Sequence, residues 1–214
     1  MTPPKEDGSM LSELTVNELL ERTAAGTPLP GGGSLSALVA AVGASLAQMV
    51  AMLTAGRSKF AAVDEDMRSL AEKAHKLRQE LLVDMDRDAA AYDAVMAALR
   101  LPQKTEAEQQ RRSEAVQTAI KDAARVPLAV AEKALAVMAL ARTAVRSGNP
   151  NAASDGAVGA MLARAALQGA LFNVRINLRD LQDQAFSIRL RRAAEELAGR
   201  AEALEREILA AITF

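Results

Sequence analysis

Apolar residues recur at helical spacing along most of the chain. From Asp64 to Leu99 the positions Met67, Leu70, Ala71, Ala74, Leu77, Leu81, Met85, Tyr92, Val95 and Leu99 form one stripe. Steps of three and four residues are the repeat of an α-helix packed along one side. Ser34–Ala55 reads differently: twenty-two residues carry no charge at all. A helix that is apolar all round belongs in the centre of a bundle. Its small residues Ser36, Ala40, Gly43, Ala47 and Ala51 share one side, where short side chains let neighbouring helix backbones come close.

The ends of these elements carry their own signals. Capping boxes at Thr15–Glu18 and Thr105–Glu108 start two helices. The first ends near Ala25, before Gly26, and the segment Pro28-Leu-Pro-Gly-Gly-Gly-Ser34 is a break no helix can cross. Ser34 or Ser36 is expected to cap the second helix, which ends near Gly56. The third runs from about Asp64 to Leu99, before Leu101-Pro102, and the fourth from Thr105 to about Arg146. Pro127 falls inside the fourth, where it predicts a kink and an orphaned carbonyl on Ala123. After the turn Gly148-Asn149-Pro150-Asn151, a fifth helix is expected from Ser154 to about Asp180. A sixth, from about Ser187 to Ile212, has opposite charges at helical spacing and should be the most solvated. No stretch alternates with the period of a strand. The expected fold is all-α: an antiparallel up-and-down bundle of five to six long helices. A flexible tail over residues 1–12 would precede a single domain over 13–214.

Composition narrows the function classes. With no cysteine and only His75, no metal site is expected. Net charge is −1 with both signs interspersed, and only five residues are aromatic. That leaves neither a basic stripe nor stacking platforms, so no nucleic-acid partner is expected. The N-terminus lacks the apolar core of a signal peptide. The uncharged second helix is long enough to cross a bilayer. However, Ser34, Ser36, Ser45, Gln48 and Thr54 interrupt it and no Trp or Tyr belt flanks it. A core helix, no membrane partner and a cytoplasmic location are the expectation.

A few residues depart from what a plain bundle needs. Gly31-Gly32-Gly33 leads into a helix N-terminus, where free N–H groups favour an anion or a polarised oxygen. A tight turn usually needs one glycine; three would let a ligand lie against bare backbone. Asp88 falls between Met85 and Tyr92 on the apolar stripe of the third helix, with Asp84 on its flank. A carboxylate so placed must find a partner or bind its proton more tightly, which suits either an internal ion pair or an acid/base group. Asp155 opens the fifth helix, where an acid is ordinary. Asn173 and Asn177, one turn apart on the same face as Asp155, suit bridging between helices as well as binding. Asp155 and Asn173 are eighteen residues, or about 27 Å, apart. One site using both needs an extended ligand or a second subunit. His75 lies off the apolar stripe and is expected in solvent, as are Arg57 and Lys59.

In order along the chain, Pro28-Leu-Pro-Gly-Gly-Gly-Ser34, Asp88-Ala-Ala-Ala-Tyr92 followed by Leu101-Pro102, Ala152-Ala-Ser-Asp155 and Asn173-Val-Arg-Ile-Asn177-Leu178 resemble the cyclodeaminase/cyclohydrolase family over about residues 13–185. The family comprises the cyclodeaminase half of formiminotransferase-cyclodeaminase and stand-alone methenyltetrahydrofolate cyclohydrolases. The resemblance implies a helical homodimer acting on a tetrahydrofolate derivative, with no tightly bound cofactor and no metal. One branch closes 5-formiminotetrahydrofolate to 5,10-methenyltetrahydrofolate with loss of ammonia; the other opens the methenyl bridge with water to 10-formyltetrahydrofolate. No formiminotransferase portion is present in this sequence, so the resemblance is to a stand-alone version. Matched to the motifs, Asp155 and Asp88 are the expected catalytic carboxylates, Asp155 first. Gly31, Gly32, Gly33, Ser34, Asn173 and Asn177 are the expected substrate-binding residues. The competing reading is a non-catalytic helical dimerisation or scaffold protein, which would need neither three glycines nor Asp88 and Asn173 in apolar faces.

Overall fold

The computed structural model of the protein describes residues 10–212. Met1–Ser9, most of the expected tail, lie outside them, as does Phe214. Among the described residues the chain forms six α-helices and no strand: α1 Val16–Ala24, α2 Gly32–Thr54, α3 Asp64–Leu99, α4 Glu106–Ser147, α5 Ala153–Asn177 and α6 Gln184–Ala211. Both predicted capping boxes form, at Thr15/Glu18 and Thr105/Glu108. A 3₁₀ turn over Leu11–Glu13 precedes α1, and Ser12 donates from its hydroxyl to Asp86 at 2.5 Å.

Helix α2 occupies the centre, as its lack of charge predicted. It runs antiparallel to α3 and α5 and packs on α4 as well. On the side facing α5 a Cβ on Gly43 would lie 2.7 Å from the carbonyl oxygen of Gly159, and one on Gly159 3.0 Å from that of Gly43. Those glycines set how closely the two backbones approach. The core is built mostly of alanine, with Leu81, Met85, Val130, Met138, Leu167 and Leu171 as its larger buried members. Helix α6 lies along α4 and α5 and crosses to them through Arg142–Glu207 and Arg164–Glu205.

Three local readings change. Ser34 and Ser36 do not cap α2: Gly31 occupies that position and both serines are buried inside the helix. Their hydroxyls have other partners, Asp88 for Ser34 and the carbonyl of Gly32 for Ser36. Helix α6 begins three residues earlier than expected because Asp183 accepts from the backbone N–H of Phe186 and caps it. Helix α5 correspondingly stops at Asn177 rather than near Asp180. The predicted orphan carbonyl on Ala123 does exist in α4, and Asn177 donates its amide to it at 2.8 Å. The defect that Pro127 introduces is thus repaired from the neighbouring helix.

The helices differ in length, and this shapes the site. At 36 and 42 residues, α3 and α4 are about 54 and 63 Å long, against about 34 Å for the 23 residues of α2. Their hairpin end, around Leu99, Leu101 and Val116, therefore overhangs the N-terminus of α2 and is only partly covered.

Candidate active site

The first turn of α2 lies where α3 leaves the core. Asp88 reaches across from α3 and accepts from the Ser34 hydroxyl at 2.8 Å and from the Ser34 backbone N–H. Gly31 offers α2 no side-chain cap, so Asp88 supplies one from another helix. Burial pushes the Asp88 carboxyl above its ordinary value, against the opposing pull of these two hydrogen bonds. No Lys or Arg pairs with it among the described residues.

The glycines are needed for space rather than for unusual backbone angles. Among the described residues only Gly26 and Gly56 take positive φ. A Cβ on Gly33, by contrast, would sit 2.7 Å from the carboxyl carbon of Asp88. Bare backbone at that position is what lets a carboxylate stand against the helix N-terminus. Gly32 is exposed, and its missing Cβ would be 3.7 Å from the Asn173 amide nitrogen. Asn173 donates to the carbonyl of Gly169 at 2.9 Å, which leaves its oxygen for another donor. The structure therefore gathers Gly31, Gly32, Gly33, Ser34, Asp88 and Asn173 around one helix end. Asp88 flanks it from α3 and Asn173 from α5. Asn177 is one turn further on, with its amide committed to Ala123.

Asp155 is elsewhere. It is half-buried in the first turn of α5, next to Gly156, which packs against Val145 and Val50 towards the other end of α2. It makes no hydrogen bond among the described residues. Within one chain it stands about 27 Å along α5 from Asn173. Arg57 and Lys59 are exposed and follow the C-terminal end of α2. His75 is exposed beside Arg78.

The sequence reading missed the most buried charge. Asp84, placed on the flank of the α3 stripe, is 1% exposed and shared between Lys133 of α4 and Arg87, the latter at 2.7 Å. Its spacing of three from Leu81 and four from Asp88 was visible along α3. Its partner Lys133, 49 residues away, was not. A groove of about 650 Å³ between α4 and α6, lined by Glu132, Arg142, Glu196 and Arg200 among others, contains none of the expected site residues.

Comparison with known proteins places the fold in a family. The family described as formiminotransferase-cyclodeaminase matches residues 15–196. The chain belongs to that family. It is 37% identical over 199 residues to a methenyltetrahydrofolate cyclohydrolase of Methylorubrum extorquens, covering 93% of this chain and 96% of that protein. It is 34% identical over 197 residues to the formimidoyltransferase-cyclodeaminase of Rattus norvegicus, covering 92% of this chain but only 36% of the relative. It thus spans about a third of that longer protein's length. A crystal structure of formiminotetrahydrofolate cyclodeaminase from Thermotoga maritima superposes with a TM-score of 0.85 at 28% identity, over 94% of this chain and 97% of that one.

Proposed function

We propose that this family member is a tetrahydrofolate one-carbon enzyme that opens or closes the bridge between N5 and N10. The leading reaction is hydrolysis of 5,10-methenyltetrahydrofolate to 10-formyltetrahydrofolate, supported by the near full-length likeness to the Methylorubrum extorquens cyclohydrolase. The observation that carries a folate site is the Asp88 carboxylate, held without a cation against the bare backbone of Gly33 and the N-terminus of α2.

Water adds to the methenyl carbon, and one of its protons passes to a carboxylate base. The carbon–N5 bond then breaks as a proton reaches N5, and the second proton of the water leaves to solvent. Asp88 suits this exchange because a carboxyl whose affinity for a proton is raised can both take and return one. Its charge also favours the cationic methenyl substrate. Gly31 and Gly32 supply backbone groups for a ring oxygen and Asn173 an amide, while the buried Ser34, expected to bind substrate, instead holds Asp88 through its hydroxyl and N–H. Asn177 braces α4 behind them. Asp155, about 27 Å along α5 from Asn173, joins these groups only through an extended ligand or a second subunit. The enzyme works as a cytoplasmic homodimer, without metal, tightly bound cofactor, nucleic acid or membrane.

The structural likeness to the Thermotoga maritima cyclodeaminase supports a second reading. Here N10 attacks the formimino carbon of 5-formiminotetrahydrofolate, and the protonated amine leaves as ammonia. Both reactions pass through a tetrahedral carbon and use the same groups. The absorbance of the methenyl chromophore separates them: purified protein should consume it from one substrate or generate it from the other. Turnover of neither substrate, with no folate binding by calorimetry, would sink the proposal.

A further inference from the structure

The side of α3 that packs on α2 carries Leu81 and Met85, both fully buried in one cluster with Ala37, Ala40 and Ala41. Positions seven apart on a helix point within about 20° of each other. Asp88 therefore repeats the direction of Leu81, and Tyr92 that of Met85. Asp88 meets the first turn of α2. Tyr92 stands about 6 Å further along α3, and α2 begins at Gly32. Its ring thus points into the space past the start of α2, where the core residues before it point at α2 itself. Tyr92 is half-buried, and its hydroxyl makes no hydrogen bond among the described residues. Ala89, Ala90 and Ala91 separate it from Asp88 and keep the helix surface low. One turn beyond, Val95 closes the space by packing on Ile120, Val174 and Leu178.

The groups already placed in the site are a carboxylate, bare backbone and amides. A ligand with flat rings also needs an apolar wall. Few side chains can supply one. Phe186 is buried in α6, and Phe60 lies in the turn Ser58–Val63, past the far end of α2. Phe172 is turned about 100° from Asn173 and lies under Arg175. With the pterin oxygen at Gly31 and Gly32 and the N5/N10 bridge at Asp88, the aminobenzoyl ring on N10 leads away along α3. Resting on the folate-enzyme reading, we propose that Tyr92 is the wall on which this aminobenzoyl ring stacks. The tyrosine ring carries the contact, and it fixes which way round the folate lies across Asp88.

Tyr92 is the only tyrosine in the chain, and there is no tryptophan. Protein made with ring-labelled tyrosine therefore gives the signals of this one side chain. In its complex with 5-formyltetrahydrofolate, a stable relative of both substrates, nuclear Overhauser contacts should join the Tyr92 ring to the aminobenzoyl protons. Contacts only to the pterin methylene protons would overturn the assignment, as would a bound ligand with no contact to Tyr92. Binding of no folate in calorimetry defeats the proposed function, and this wall falls with it.

Kinetics supply the second test. Tyr92→Leu keeps apolar bulk but loses the flat face, so KM should rise about 5- to 100-fold, the range of one lost ring stack. Turnover at saturation should fall much less, because Asp88 is untouched. Tyr92→Phe restores the ring and should recover most of that KM. An unchanged KM in Tyr92→Leu would overturn the proposal. So would a Tyr92→Phe enzyme as impaired as Tyr92→Leu, since the hydroxyl would then carry the contact. If Tyr92→Leu fails to fold, the contacts seen in wild-type protein still decide.

Discussion

Asp84 and Asp88 stand one turn apart on α3 and have opposite fates. Asp84 is the more deeply buried, yet Lys133 and Arg87 neutralise it, and it joins α3 to α4. Asp88 is less enclosed and has no cation, only Ser34 and the end of α2. Burial alone does not poise a carboxylate for chemistry; burial without a compensating charge does. A buried ion pair is also weak support for stability until one partner is removed, when the other is left without its counter-charge.

The contrast can be broken most forcefully at Asp84. Asp84→Ala strands Lys133 and should cost about 3–5 kcal/mol of stability in urea unfolding. A loss below about 1 kcal/mol would place this pair with ordinary surface ion pairs. Asp88→Asn should do the reverse: turnover falls about 10²–10⁴-fold while the fold survives. The sign of its pH dependence follows from linkage. The folded protein holds the Asp88 proton above the ordinary value of 3.8, so it binds more protons than the unfolded chain in the window above that value. The Asp88 contribution to stability therefore declines as pH rises from 3.8 through the raised value. Asp88→Asn should flatten that decline and be as stable as wild type, or more so, at neutral pH.

Gly33→Ala tests the space that makes Asp88 possible. Its Cβ must displace the carboxyl, so a cost of about 1–3 kcal/mol and a loss of turnover are expected together. If turnover is unaffected, Asp88 does not need its present position. Asn177→Leu uncovers the carbonyl that Pro127 orphaned and should cost about 1–3 kcal/mol in thermal or urea unfolding. An additional loss of folate affinity beyond that destabilisation would reassign Asn177 to the site. The smallest effect is expected at Ser34→Ala, about 1 kcal/mol from one lost hydrogen bond. Removing a bond that holds the Asp88 proton affinity down should move the acidic limb of the pH–rate profile to higher pH.

Legibility varied with the range of the interaction. The capping boxes, the limits of α3 and the central place of α2 were local facts of spacing and composition. Pro127 announced an orphan carbonyl at Ala123, but only packing brought Asn177 to it, 54 residues away. Asp88 was recognised as unusual because its neighbours in the stripe are apolar. Asp84, at the edge of the same stripe, was undervalued because side-chain direction on a helix does not reveal which neighbour lies opposite. The glycine run suggests bare backbone for a ligand to lie against. Its use at Gly33 is closeness to a carboxylate from another helix.

By itself, the sequence determined that this chain folds as an all-α bundle around an uncharged helix. Its motifs also pointed to the family, since helical period, caps and breaks act between residues a few positions apart. Only the tertiary structure decided which carboxylate is paired and which is poised, and that Asp88 and Asp155 stand near opposite ends of α2 in one chain. Those outcomes depend on long-range packing, where one turn of α3 exchanges a lysine on α4 for the bare N-terminus of α2.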